Sequence, residues 1–180
     1  MERNLTHIAL FAALIAVLGL VPRIDLAAGV PITAQSLGIM LCGTVLGAKR
    51  GALAVLLFLA LVAVGLPLLA GGRGGLGVFA GPSVGFLIGF PIAAFVIGWI
   101  VENTSLPVGL AASAASVLGG IAVLYLFGIA GLSVMLGKTW AEATVISFAY
   151  LPGDVVKAVL AGFITQGIAR MRPGALLSRA

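Results

Sequence analysis

Charge is what this sequence has least of. Only 8% of its 180 residues are Asp, Glu, Lys or Arg, against 62% hydrophobic, and the mean hydropathy is +1.27. That is far more apolar surface than one soluble core can hide, so a soluble globular domain is excluded. Cysteine is nearly absent. Cys42 stands alone, which rules out an internal disulfide or a cysteine-ligated metal and leaves a small packing role. His7 is the sole histidine, so no His-rich metal set can be assembled; its place near the start of the chain suits an interfacial residue. No phosphate-binding loop is visible either. "GTVLGAKRG" fails in spacing and in the missing hydroxyl, and no lysine followed by Ser or Thr closes the glycine-rich block further on. With no nucleophile beside a base and no paired carboxylates, an enzyme is not expected. With no basic patch interleaved with aromatics, nucleic acid is not expected as a partner.

What remains is long apolar runs such as "GALAVLLFLALVAVGLPLLA", apolar at nearly every position. Barrel strands would alternate apolar and polar residues, so the fold class is an all-α integral membrane protein. A spanning helix needs about 20 mainly apolar residues. Pro, Gly and charge punctuate the chain into six segments, near 5–21, 32–46, 51–69, 82–101, 106–127 and 150–171, forming one compact transmembrane domain over residues 1–180. Between the last two, "FGIAGLSVMLGKTWAEATVISF" reads as a long irregular connection with room for a partial helix. The N-terminal "MERNLTHIALFAALIAVLGL" lacks a clear small-residue cleavage site and is read as a retained first helix. With a cytoplasmic N-terminus, Arg3, Lys49, Arg50, Arg170, Arg172 and Arg179 fall inside, while Arg23, Arg73 and Lys138 fall outside. This distribution obeys the positive-inside rule and places both termini in the cytoplasm.

The many small residues let helices approach closely in lipid. In the first helix, Ala9 and Ala13, with Ala12 and Ala16, form two small-xxx-small strips, suited either to packing inside the bundle or to docking of another membrane protein. The block "PLLAGGRGGLGVFAGPSVGFLIGFP" has glycines at 71, 72, 74, 75, 77 and 81, which open backbone conformations that other residues avoid. Leu76, Val78 and Phe79 among them seek cover, so a ligand-facing loop is expected rather than a free surface turn. Its one charge, Arg73, suits an anion or water.

In "AYLPGDVVKAVLAG", Asp154 and Lys157 stand three residues apart, within reach of each other on one helix face. Pro152 and Gly153 just before them also permit a helix cap with a local ion pair. Charges inside spans are costly and mark a site by default, which favours binding. An aspartate accepts N–H bonds and a lysine donates to a carbonyl or carboxylate, so the pair can hold one polar ligand. Gln35, with Thr33 and Ser36 beside it, sits at the outer end of the second segment and suits a cap, an interhelical bond or a ligand contact. Phe79, Phe86 and Tyr150 can line apolar walls or anchor at the interface. Arg23 and Asp25 are expected to pair outside. Together these describe a small external pocket with oily walls, a flexible glycine backbone and a few orienting polar groups.

"GVPITAQSLGIMLCG", "GLPLLAGGRGGLGVFAGPSVGFLIGFP" and "LPGDVVKAVLAG", in this order and spacing, resemble the BioY family, the biotin-specific substrate-binding (S) component of energy-coupling-factor transporters. The resemblance covers roughly residues 5 to 170. It implies a six-helix protein of the bacterial cytoplasmic membrane that captures biotin from outside, with a transmembrane coupling subunit and two cytoplasmic ATPases as partners. No cofactor is implied, biotin being the transported ligand. The family's binding aspartate and lysine fall on Asp154 and Lys157, and its polar residue after "PITAQ" on Gln35. Arg73, Gly72, Gly74, Phe79, Phe86 and Tyr150 complete the expected site, and Ala9, Ala12, Ala13 and Ala16 become the docking face. At one point the chain departs from the pattern. "GPTGGYL" reads "GPSVGFL" here, so Val84 and Phe86 replace a glycine and a tyrosine, and the tyrosine hydroxyl contact is lost. The alternatives are an S component for another vitamin and a proton-coupled secondary transporter using Asp154.

Overall fold

The computed structural model describes residues 2–25 and 30–179, with side chains from Asn4 onward. Its helices are α1 (Glu2–Leu18), α2 (Gln35–Leu46), α3 (Ala48–Ala63), α4 (Val84–Asn103), α5 (Val108–Leu136), α6 (Trp140–Phe148) and α7 (Leu151–Met171). Short 3-10 turns cover Leu76–Ala80, Pro173–Ala175 and Leu177–Arg179. By length and composition α4 and α5 can each cross a membrane, and α6 with α7, bent by 57° between them, make a third candidate. α1, α2 and α3 are shorter, with 17, 12 and 16 residues.

α4 is the centre of the bundle, touching α2, α3 and α5, while α7 packs along the first half of α5. Ala93, Ala94, Ile97 and Val101 form its buried side. Ile88, Ile92, Phe95 and Trp99 recur at helical spacing on its opposite side and are exposed. Val155, Val156, Val159, Leu160, Phe163 and Ile164 do the same on α7. In water such stripes would aggregate; against lipid tails they are at no disadvantage. Cys42 is fully buried in the core, as a packing residue should be.

The stretch 127–148 corrects the sequence reading. The expected irregular connection is mostly helix, because α5 runs on to Leu136 and stops only at Gly137, a left-handed cap with φ of 61°. Gly128 and Gly131 look like breaks but are packing sites within α5, facing Phe86 and Gly85 of α4. α6 then starts on a capping box in which Thr139 and Glu142 satisfy each other's backbone N–H groups. α3 ends at Ala63, six residues before the expected limit at 69, where Val64 and Gly65 turn the chain ahead of Pro67. A π turn at Leu118–Val123 widens the middle of α5 and resets the register of its second half, including Tyr125.

The end of the bundle where α2 meets α3 is tied by polar bonds. Glu102 accepts from the Ala48 N–H at 2.9 Å, Thr165 donates to Thr44 at 2.9 Å, and Arg50 donates to the Leu177 carbonyl at 3.2 Å, holding the C-terminal turn under α2 and α4.

Close backbone approach makes a sharp test. A Cβ on Gly131 would lie 2.6 Å from the Gly85 Cα, closer than packing permits. Gly131→Ala is expected to destabilise the purified protein by about 1–3 kcal/mol. Gly167 lies inside α7, and its added Cβ would meet only Met171 Cε at 3.9 Å. Gly167→Ala is expected to stabilise by about 0.5–1 kcal/mol through helix propensity. Thermal melts in detergent should therefore move in opposite directions; a common direction would contradict the packing described.

Candidate functional site

At the bundle end opposite the C-terminal turn, the first turns of α2 and α7 meet the middle of α5. Pro152 stands in the first turn of α7, where its missing N–H costs nothing, and Tyr150 occupies the cap position without a side-chain capping bond. Asp154 therefore does not cap the helix. Its carboxylate points into the bundle, only 6% exposed, and takes three donors from three helices. Tyr125 donates to Oδ2 at 2.8 Å, Ser36 to Oδ1 at 3.2 Å, and Lys157 Nζ to Oδ1 at 3.0 Å. Lys157 also donates to the Ser36 hydroxyl at 2.9 Å, so Ser36 sits between the two charges, accepting from one and donating to the other.

An ionised carboxylate has about four acceptor positions and an ammonium three donors. Three of the former and two of the latter are used within the protein, which leaves Asp154 one acceptor and Lys157 one donor. Both residues line a partly enclosed cavity whose empty space, counted with its open mouth, is about 590 Å³. Phe86, Leu87, Phe90 and Leu124 supply apolar wall, Val30 to Thr33 another side, and Leu69 with Arg73 the rim toward the glycine-rich loop. Phe86 stands edge-on to Tyr125, with ring centroids 6.3 Å apart, and to Tyr150 at 5.8 Å. Tyr150 is fixed by donating to the Val30 carbonyl at 3.1 Å. Position 86 lacks a hydroxyl, but two tyrosines flank it.

The glycine-rich loop is folded rather than loose. Leu69 and Arg73 exchange backbone bonds of 3.0 and 3.2 Å around a tight turn, with Gly71 and Gly72 at φ of 80° and 70°. Gln35 holds this turn in place, its Nε2 donating to the carbonyls of Ile15 at 3.1 Å and Leu68 at 3.0 Å while its Oε1 accepts from the Ala70 N–H at 2.9 Å. Both of its N–H groups are spent inside the protein. Arg23 and Arg73 both donate to the Ala70 carbonyl, at 2.9 and 3.3 Å, and Arg23 pairs with Asp25 at 2.9 Å. Burial first, then the Arg23 charge, pulls Arg73 below the ordinary guanidinium value, with Asp25 opposing. An anion at the rim would relieve that repulsion.

Of the residues singled out from sequence, Asp154, Lys157, Arg73, Gln35, Phe86 and Tyr150 line the cavity. Gly72, Gly74 and Phe79 do not: Gly72 shapes the turn, Gly74 packs on the Leu66 carbonyl, and Phe79 is half-buried against the core. The four alanines of α1 divide as well. Ala12 is buried at 3% and Ala16 is partly buried against the core, because α1 turns that side to its neighbours, while Ala9 and Ala13 are exposed. Tyr125 was missed. Its one signal was a hydroxyl inside the apolar run "IAVLYLFGIAG", where a lone polar group needs a partner.

A helical bundle with apolar outer stripes and a buried ion pair in a partly enclosed cavity is the form of a membrane component that holds a small solute. Residues 2–174 match the model of the BioY family. The chain is 56% identical to the biotin transporter BioY of Rhodobacter capsulatus, covering 99% of this chain and all of that one, and 50% identical to that of Rhizobium etli, covering 92% of each. A crystal structure of the S-component for biotin from an ECF-type ABC transporter superposes with a TM-score of 0.89 at 32% identity, covering 94% of this chain and 92% of that one. The chain belongs to the BioY family.

Removing Gln35 tests its hold on the loop. In Gln35→Leu, hydrogen exchange at the Ala70 amide should quicken by about 10-fold or more, the scale of a lost buried hydrogen bond, while the amides of α7 keep their protection. Unchanged exchange at Ala70 would show that the turn stands without it.

Proposed function

We propose that this chain captures biotin from outside the cell as the substrate-specific component of an ECF-type transporter, and that Asp154 and Lys157 read the ureido ring. The observation that carries the assignment is the unused acceptor and unused donor left on a buried pair 3.0 Å apart. A cyclic urea presents an N–H donor and a carbonyl acceptor on neighbouring atoms, the complementary pair. Asp154 takes the N–H and Lys157 donates to the carbonyl. The thiophane ring then meets the apolar wall of Phe86, Leu87 and Phe90, and the valerate carboxylate reaches Arg73 at the rim. Tyr125 and Ser36 act through Asp154, aiming its carboxylate, and Gln35 acts through the loop that carries Arg73.

The same reading supplies topology. Six spans are formed by α1, α2, α3, α4, α5 and the bent pair α6 with α7, in the bacterial cytoplasmic membrane, with both termini in the cytoplasm. The cation count on either side supports this orientation. It opens the cavity outward and leaves Ala9 and Ala13 on the exposed side of α1 as the strip that meets the coupling subunit. Two cytoplasmic ATPases supply the energy that this chain has no motif to harvest.

Radiolabelled biotin binding to membranes holding equal amounts of each variant tests the roles. A hydrogen bond to a charged group contributes about 1.5–3 kcal/mol, so Asp154→Asn and Lys157→Ala should each weaken binding by about 10- to 150-fold. Arg73→Gln should weaken biotin by a similar factor but leave the binding of biotin methyl ester unchanged, since the ester lacks the anion. Equal affinity of wild type and both pair variants would remove Asp154 and Lys157 from the site.

A further inference from the structure

A second cleft lies at the other end of α7, about 25 Å along the helix from Asp154 at 1.5 Å per residue. It sits between α1, α2 and α7 and encloses about 720 Å³, counting its open side. It is lined by Leu10, Phe11, Val45, Ile168 and Met171 together with His7, Arg172 and Ala175, and the lining surface is almost entirely apolar. A second opening, lined by His7, Arg172, Gly174 and Ala175, adjoins it and shares three of these residues with it. The cleft therefore sets the Arg172 cation at the edge of an apolar surface.

The surrounding charge is one-sided. Among the described side chains, Lys49, Arg50, Arg170, Arg172 and Arg179 lie at this end of the bundle, against Glu102, which already accepts from the Ala48 N–H. Arg170 and Arg172 are exposed, and neither pairs with an acidic group among the described residues. A partner helix would fill an apolar groove without needing a cation at its edge. A molecule with an anionic head and a hydrocarbon tail uses the cation and the apolar lining at once, and the bilayer supplies such molecules at high concentration beside the exposed stripes of α1 and α7.

We infer that this cleft binds one anionic phospholipid, with an acyl chain between α1 and α7 along Phe11 and Ile168 and its phosphate on Arg172, assisted by Arg170. This site is separate from the biotin cavity and shares no residue with it. A lipid held there would fasten α1 to α7 at the end where the C-terminal turn leaves the bundle.

Native mass spectrometry of the purified chain, offered equal amounts of dioleoyl phosphatidylglycerol and dioleoyl phosphatidylcholine, tests the site. One retained lipid is expected, with the anionic species preferred by about 10-fold or more, since each arginine near an anionic surface contributes roughly a 5-fold factor. Arg170→Gln combined with Arg172→Gln should bring the two lipids to near parity, and Ala175→Trp, which fills the mouth, should abolish retention of both. Biotin titration of the same samples serves as the folding control and should not change, so failure here and failure of the biotin assignment are separable. Equal retention of both lipids by wild type, or a preference that survives the double substitution, would overturn the proposal. So would competition by glycerol 3-phosphate alone, which would assign the arginines to a free phosphate. Capture of a polypeptide instead of lipid by a cross-linker at Leu10→Cys would assign the cleft to a protein partner and equally overturn it.

Discussion

A carboxylate held away from water needs donors, and the way Asp154 obtains them organises one end of this helical bundle. Its three bonds come from Tyr125 on α5, Ser36 on α2 and Lys157 on its own helix. The first two bonds each tie another helix to α7 at one point, so the site and the convergence of α2, α5 and α7 are a single feature. Removing a partner from such a buried pair leaves an uncompensated charge, commonly a larger loss than the pair contributes when intact. The arrangement is therefore poor as a source of stability and well suited to recognition, because the pair retains capacity for one further donor and one further acceptor.

The loop that carries Arg73 depends on a different kind of constraint. Gly71 and Gly72 allow the chain to turn through left-handed conformations, and Gln35 fastens that turn by three bonds reaching α1 and the loop backbone. A rigid turn can present one guanidinium at a fixed place on the cavity rim, where a mobile loop would lose conformational entropy on every binding event. Gln35 thus belongs to the site by what it positions.

Much of this was legible in the residues. Apolar runs and scarce charge specify a helical membrane bundle, and the placement of Asp154 and Lys157 three apart fixes their contact whatever the neighbours do. The parts that were not legible depend on contacts between helices far apart in sequence. Gly128 and Gly131 read as breaks when they are close contacts with α4, so the end of α5 was placed at 127 instead of Leu136. The split of Ala12 and Ala16 from Ala9 and Ala13 is set by which side of α1 meets the bundle, and a small-residue spacing alone carries no such direction. Tyr125 escaped notice because its partner lies 29 residues away and because the π turn just before it resets the register of this half of α5. The sequence motif "TWAE" did carry the start of α6, as a capping box at Thr139 and Glu142.

The biotin assignment requires that this one chain, without other subunits, hold a cyclic urea in the cavity beside Asp154 and Lys157. Calorimetric titration of the purified chain with biotin, with thiamine and riboflavin as comparison ligands, tests that claim most directly. Saturable one-to-one binding of biotin, with no heat from the other two vitamins, is the predicted result. A folded, monodisperse protein that binds none of them, or prefers thiamine or riboflavin to biotin, would contradict it.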